Sequence, residues 1–271
     1  AALPVAMRQL ARKVRRAGLP LCDKRGTISP ANKPWEVLPL KTFSLRNHPQ
    51  VRLLGRFDPE QPGFPMMWTG ACAEMQLQAT ALDVRIQCGY RSLRPYLSFT
   101  VDGLRAQVFA PLQGTHWYTV FLGMDAGTVH RVRITLETQA FGGDPDSFVT
   151  LLDARTDGAL TPLAPRRRRI EFIGDSITSG EGVRGPRSFM EWLPMCFSAS
   201  DNYTRLTAEQ LHADVQVVSQ SGWGVVCGWN NDPRANLPAV YDLVCGPVAI
   251  EAAPGGARGG EKPYAFDFDP D

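Results

Sequence analysis

The sequence predicts an antiparallel β-sandwich followed by the first part of a parallel α/β sheet. Three observations carry this expectation. Between about residues 51 and 156, short alternations of apolar and polar residues recur, each closed by a turn signal. At Ile170 the pattern changes to a mainly apolar run, Ile170-Glu171-Phe172-Ile173, that enters a polar turn. A second run, Val215 to Val218, follows after a stretch of helical spacing, and strand–helix–strand order makes a parallel βαβ unit.

The elements follow in order. Leu3, Met7, Leu10 and Val14 recur at helical spacing among Arg8, Arg12, Lys13, Arg15 and Arg16, predicting a basic amphipathic helix that ends at Gly18-Leu19-Pro20. Such a helix can bind anionic membrane or act in targeting; a solvated helix packed on its own domain is the simpler expectation. Pro20, Pro30, Pro34, Pro39 and Pro49 make residues 20–50 an irregular wrapped segment. Strands are predicted over Met75–Ala79, Leu82–Ile86, Tyr96–Val101, Trp117–Leu122 and His130–Leu136. Asp102-Gly103, Gln113-Gly114, Asp125 to Gly127 and Gly142 to Pro145 mark turns. Several short strands so punctuated suggest a sandwich. Pro162, Pro165 and the arginines 166–169 form a polar linker, read as the solvated entry to a strand rather than a phosphate site. Ser200-Asp201 can cap a helix whose Tyr203, Leu206, Thr207 and Leu211 share one face. The boundaries expected are 1–45 (helix and Pro-rich segment), 46–160 (sandwich) and 161–271 (α/β part).

Composition narrows the function classes. The 271 residues are 44% hydrophobic, enough to bury cores. With 29 basic and 27 acidic residues the net charge is +2, which does not point to nucleic acid. No apolar stretch reaches membrane-spanning length. Six scattered cysteines lack zinc spacing and read as buried free thiols. The chain shows no signal peptide, which fits a cytoplasmic protein and a mature secreted one equally.

Reactive groups of open parallel sheets gather beyond the carboxyl ends of the strands. Gly174-Asp175-Ser176 stands at one such end and Ser219-Gln220-Ser221-Gly222-Trp223-Gly224 at the next. The first presents a hydroxyl on a tight turn. The second has small residues whose N–H groups can approach a substrate. On spacing alone, a nucleophile beside an oxyanion donor and a mere helix cap beside a chain turn are equal readings. Gly180-Glu181-Gly182-Val183-Arg184-Gly185 matches G-x-G-x-x-G, yet Asp175-Ser176 occupies the turn where a dinucleotide site needs its glycines. Asn202-Tyr203-Thr204 is a glycosylation sequon by pattern only, since it falls at a predicted helix.

Residues 170–179 resemble the serine block of the SGNH (GDSL-type) hydrolases, and 219–224 are similar to the block that supplies an oxyanion-hole glycine. With a sandwich before the serine block, the order resembles carbohydrate esterase family 2, whose jelly-roll domain precedes an SGNH domain of flavodoxin-like type. That resemblance implies deacetylation of acetylated sugars or xylan-type polysaccharide, with no metal or cofactor. It makes Ser176 the nucleophile and gives the oxyanion to the N–H groups of Ser176 and Gly224, with Gly222 the alternative. Asp175 would hold the turn. Trp223 and Trp229 would stack on sugar, or serve in core or lid.

A serine needs a base within hydrogen-bond reach. Of the four histidines, His48 lies in the Pro-rich segment, His116 and His130 in the sandwich, and His212 at the amino edge of the sheet. The D-x-x-H and G-x-N-D blocks of SGNH enzymes, which bring the catalytic His and an oxyanion Asn, are not in this chain. Two parallel strands alone would also leave an apolar edge unpaired, and residues 253–263 read as an exposed, cleavable loop. The expectation is a carbohydrate O-acetyl esterase whose site is completed by a further segment or companion polypeptide. Two rivals are a non-catalytic carbohydrate-binding protein with a degenerate hydrolase part, and a serine esterase acting on other small acyl esters.

Overall fold

A computed structural model describes residues 39–144, 146–251 and 258–271. The basic helix expected over 3–17, most of the Pro-rich segment, Cys22 and residues 252–257 of the Gly/Pro stretch lie outside the described residues. Residues 40–271 form one compact unit.

Two antiparallel sheets face each other. One runs β1 (Lys41–Ser44), β10 (Phe148–Thr156), β5 (Ala81–Gly89), β8 (Gly114–Leu122), with β3 (Phe64–Met66) also on β10. The other runs β11 (Ala159–Thr161), β4 (Cys72–Gln78), β9 (His130–Leu136), β6 (Leu97–Val101), β7 (Leu104–Phe109), with β2 (Arg52–Leu54) on β4. Their inner faces enclose Phe64, Met75, Leu77, Leu82, Ile86, Leu97, Phe99, Ile134 and Leu151, all fully buried. Alternation made five of these strands visible in the sequence, because one face meets the core and the other meets polar surroundings. It missed β10, which lies between β1 and β5, because a register shift between Leu151 and Asp153 breaks the period.

The chain then leaves the sandwich for β12 (Arg168–Gly174) and β13 (Ala213–Ser219), which pair in parallel from Arg168↔Ala213 to Gly174↔Ser219. Between them lie α1 (Ser176–Ser179) and α2 (Tyr203–Gln210); α3 (Gly246–Glu251) follows. No helix among the described residues is long and apolar enough to cross a membrane.

Three expectations need correction here. The buried face of α2 is Thr204, Arg205 and Ala208, while Tyr203, Leu206 and Leu211 are exposed. The cap is Asn202, not Ser200-Asp201. The reason is tertiary: Ala208 packs on Val215 and Val217, and Arg205 reaches the sandwich at Glu74 and Cys72. Second, the apolar run of β12, whose composition suits a strand covered on both faces, is only partly buried. Ile173 is 55% exposed, because β12 pairs only with β13 among the described residues. Third, residues 258–263 are not a free loop, since Val244 N donates to Lys262 O and Cys245 N to Gly260 O.

Charged groups fasten the α/β part to the sandwich. Glu74 of β4 meets Arg133 at 2.8 Å, Arg166 at 2.8 Å, Arg52 at 3.5 Å and Arg205 at 4.0 Å. Arg56, buried between the Tyr241 and Tyr264 rings, pairs with Glu171 of β12 at 3.0 Å. Cys72, Cys88, Cys196 and Cys245 are buried and, with Cys227, unbridged.

Candidate active site

Ser176 is the first residue of α1, at the carboxyl end of β12. The turn that presents it is held from several sides. Asp175 caps the helix, its Oδ1 accepting Ile177 N at 3.1 Å. Gly174 has no room for a side chain: a Cβ there would lie 2.2 Å from Thr178 Oγ1. Asn202 Nδ2 donates to Ile177 O at 3.0 Å, which also accepts Gly180 N at 3.2 Å, and to Thr178 O at 2.7 Å, a carbonyl that the one-turn helix leaves open. Ser179 Oγ and Ser219 Oγ are hydrogen-bonded at 2.9 Å, tying α1 to the end of β13, and Thr69 Oγ1 donates to Ser179 O at 3.1 Å from the sandwich. Asn202 is buried and engaged in these contacts, so the sequon offers no accessible amide.

Beyond β13 the chain turns through Gln220 to Gly224. Gln220 N donates to Gly174 O at 3.2 Å and Trp223 N to Gln220 O at 3.1 Å. Gly222 sits at φ +76°, a conformation that favours glycine. Ser176 and Gly222 line one open cleft of about 560 Å³, with Gln139, Phe141, Glu181, Trp192, Gln220, Ser221 and Trp229. Neither the Ser176 nor the Gly222 N–H has an acceptor among the described residues. Two N–H groups without acceptors in one cleft can receive an oxyanion, and Ser176 brings a hydroxyl to the same cleft.

Gly224 is placed elsewhere. It lines a second cleft with Asp175, Trp223, Leu237 and Tyr241, and its N–H lies 3.4 Å from Ala235 O. Trp223 packs against a small apolar cluster around Trp68 and Val218. Trp229, by contrast, is 85% exposed and stands over Gly222 in the Ser176 cleft. Trp192, half-buried against Phe141 and Phe197, supplies a second ring that no sequence motif marked. The loop carrying Leu93 and the one carrying Gly142 and Gly143 complete the rim. Asp144 fixes them together by accepting the N–H groups of Arg91, Ser92 and Leu93 at 2.6–2.9 Å at its Oδ2.

No histidine lines this cleft. His48 stacks edge-on with Phe43. His116 reaches Gln113 O at 2.8 Å. His130 bridges Asp102 Oδ2 at 2.7 Å and Asp125 O at 3.1 Å. His212 precedes β13 and lines a cleft with Arg166 at the amino edge of the parallel strands. Glu181 is the one ionisable side chain among the residues lining the Ser176 cleft.

No protein-family model matches the chain. An acetylxylan esterase / glucomannan deacetylase of Cellvibrio japonicus is 34% identical over 124 residues, 43% of this chain and 32% of that protein. An acetyl xylan esterase from the rumen bacterium Butyrivibrio proteoclasticus superposes with a TM-score of 0.81 at 34% identity, covering 86% of this chain and 62% of that one. A family-two carbohydrate esterase from Clostridium thermocellum, solved with cellohexaose, superposes with a TM-score of 0.64 at 25% identity, over 72% of this chain and 58% of that one. The chain spans 22–32% of the curated relatives it matches. In sequence and in structure, this chain resembles the carbohydrate esterases of family 2.

Proposed function

We propose that the chain carries the nucleophile half of a carbohydrate O-acetyl esterase. The observation that carries this reading is that Ser176 and Gly222 line one cleft at the carboxyl ends of β12 and β13. Ser176 Oγ attacks the acetyl carbonyl, and the N–H groups of Ser176 and Gly222 receive the charge on its oxygen. Gly222 takes this role in preference to Gly224, whose N–H faces Ala235 O. Asp175 caps the turn and does not move protons. Trp229 and Trp192, which both line the cleft, offer aromatic faces to the sugar ring. The relatives' names, acetylxylan esterase among them, support the substrate class.

The base comes from outside these 271 residues, since all four histidines are engaged or sited elsewhere. Asp271 N donates to Arg169 O at 3.0 Å and its Oδ2 accepts Arg169 N at 2.9 Å, and beyond this contact the exposed Ile173 and Ile177 suit a further parallel strand along β12. The natural protein should release acetate from acetylated xylan, and Ser176→Ala should abolish it. The isolated chain should turn over far more slowly. Unchanged turnover in the alanine variant would remove Ser176 from the mechanism; full activity of the isolated chain would refute an external base.

A further inference from the structure

Two uncharged side chains that line the Ser176 cleft carry buried polar atoms with no hydrogen-bond partner among the described residues: Gln220 Oε1 and Ser221 Oγ. Their backbones are fixed, Gln220 N by Gly174 O and Ser221 N by Gln139 Oε1 at 2.8 Å. Gln220 is only 7% exposed, so its amide cannot turn to solvent for a partner. A buried orphan acceptor is costly, and native proteins keep few of them. The other orphans differ: those on Arg56, Glu74, Arg85, Arg105 and Arg184 belong to groups already in ion pairs, and Thr135 lines none of the clefts described.

We infer that Gln220 and Ser221 determine specificity in the cleft by binding a free hydroxyl of a neutral acylated sugar. This rests on the esterase reading of the cleft and names what the cleft selects. Gln220 Oε1 accepts from a sugar hydroxyl; Ser221 Oγ donates to or accepts from its neighbour. The Trp192 and Trp229 rings suit the apolar face of a pyranose. Among the described residues no Lys or Arg lines the cleft, and Glu181 adds a negative charge, so a uronate-bearing sugar is disfavoured.

The test is equilibrium binding of acetylated xylo-oligosaccharide in the Ser176→Ala background, followed by tryptophan fluorescence. Gln220→Leu keeps the volume and removes the orphan. It should raise Kd about tenfold, the worth of one hydrogen bond, while leaving Tm unchanged or higher. A merely structural glutamine would move Tm and not Kd. An unchanged Kd, or equally tight binding of a glucuronate-bearing oligosaccharide, overturns the inference. Should Gln220→Leu lower Tm, Ser221→Ala decides: weaker binding at an intact Tm supports the inference, and unchanged binding overturns it. No sugar binding by the starting protein also overturns it. Acetate release by the natural protein reads the esterase proposal separately, so sugar binding without acetate release refutes that proposal alone.

Discussion

Glu74→Gln probes the joint that places the Ser176 turn. Glu74 is 5% exposed and faces four arginines from β2, β9, the 166–169 linker and α2. Burial pushes its carboxyl up, but the hydrogen bond from Arg166 and the charges of Arg133, Arg166 and Arg205 outweigh it. They hold the group at about 2 against an ordinary 4.5. The difference between 4.5 and about 2, at ~1.4 kcal/mol per pH unit, makes the ionised form worth about 3 kcal/mol to the fold. Because the folded value is depressed, that stability is fully present above pH 4.5 and is lost as the pH falls toward 2. The amide removes the charge and leaves the arginines facing each other, which costs a similar amount. Guanidinium unfolding followed by fluorescence should show a loss of about 3 kcal/mol at pH 7. The wild-type advantage should shrink steadily below pH 4.5. A loss under about 1 kcal/mol at pH 7, or an advantage independent of pH, would refute the assignment of this cluster as the joint. Through Arg205 the change also loosens α2, whose Asn202 holds α1, so acetate release should fall with stability.

Asn202→Ala strands the Thr178 carbonyl, leaves Ile177 O with Gly180 N alone and removes the α2 cap, and should cost about 2 kcal/mol in thermal unfolding; an unchanged Tm would show the cap to be idle. Gly222→Ala strains a φ of +76° and crowds Trp229, and should cost about 1 kcal/mol and blue- or red-shift Trp229 emission; neither change would mean the turn relaxes freely. His130 has acceptors at both ring nitrogens, Asp102 Oδ2 and Asp125 O, an arrangement that favours the doubly protonated ring. The Asp102 hydrogen bond raises its pKa above the ordinary 6.5 despite burial. Its contribution is therefore complete below pH 6.5 and is lost as pH rises through the folded value; NMR titration placing His130 below 6.5 would contradict this.

The sandwich strands with regular alternation could be read residue by residue, since one buried face imposes a period of two on the chain. The strand–turn–serine passage was equally legible, because β12 ends, α1 begins and Asp175 caps it within a few neighbouring residues. The bulge in β10 hid a central strand for the same local reason, by breaking the period at Leu151.

Other features depended on residues far apart in the chain. Whether Gly222 or Gly224 joins Ser176 turns on two residues of loop geometry, and only the Ala235 and Trp229 contacts separate them. The buried face of α2 was misread because its anchor is a charge: Arg205 finds Glu74, more than a hundred residues earlier. Trp192 and Gln139 carry no motif and reach the cleft only through packing. Local propensity thus placed Ser176 at the end of β12. Its surroundings were set by long-range burial and ion pairing, whose partners sequence spacing does not encode.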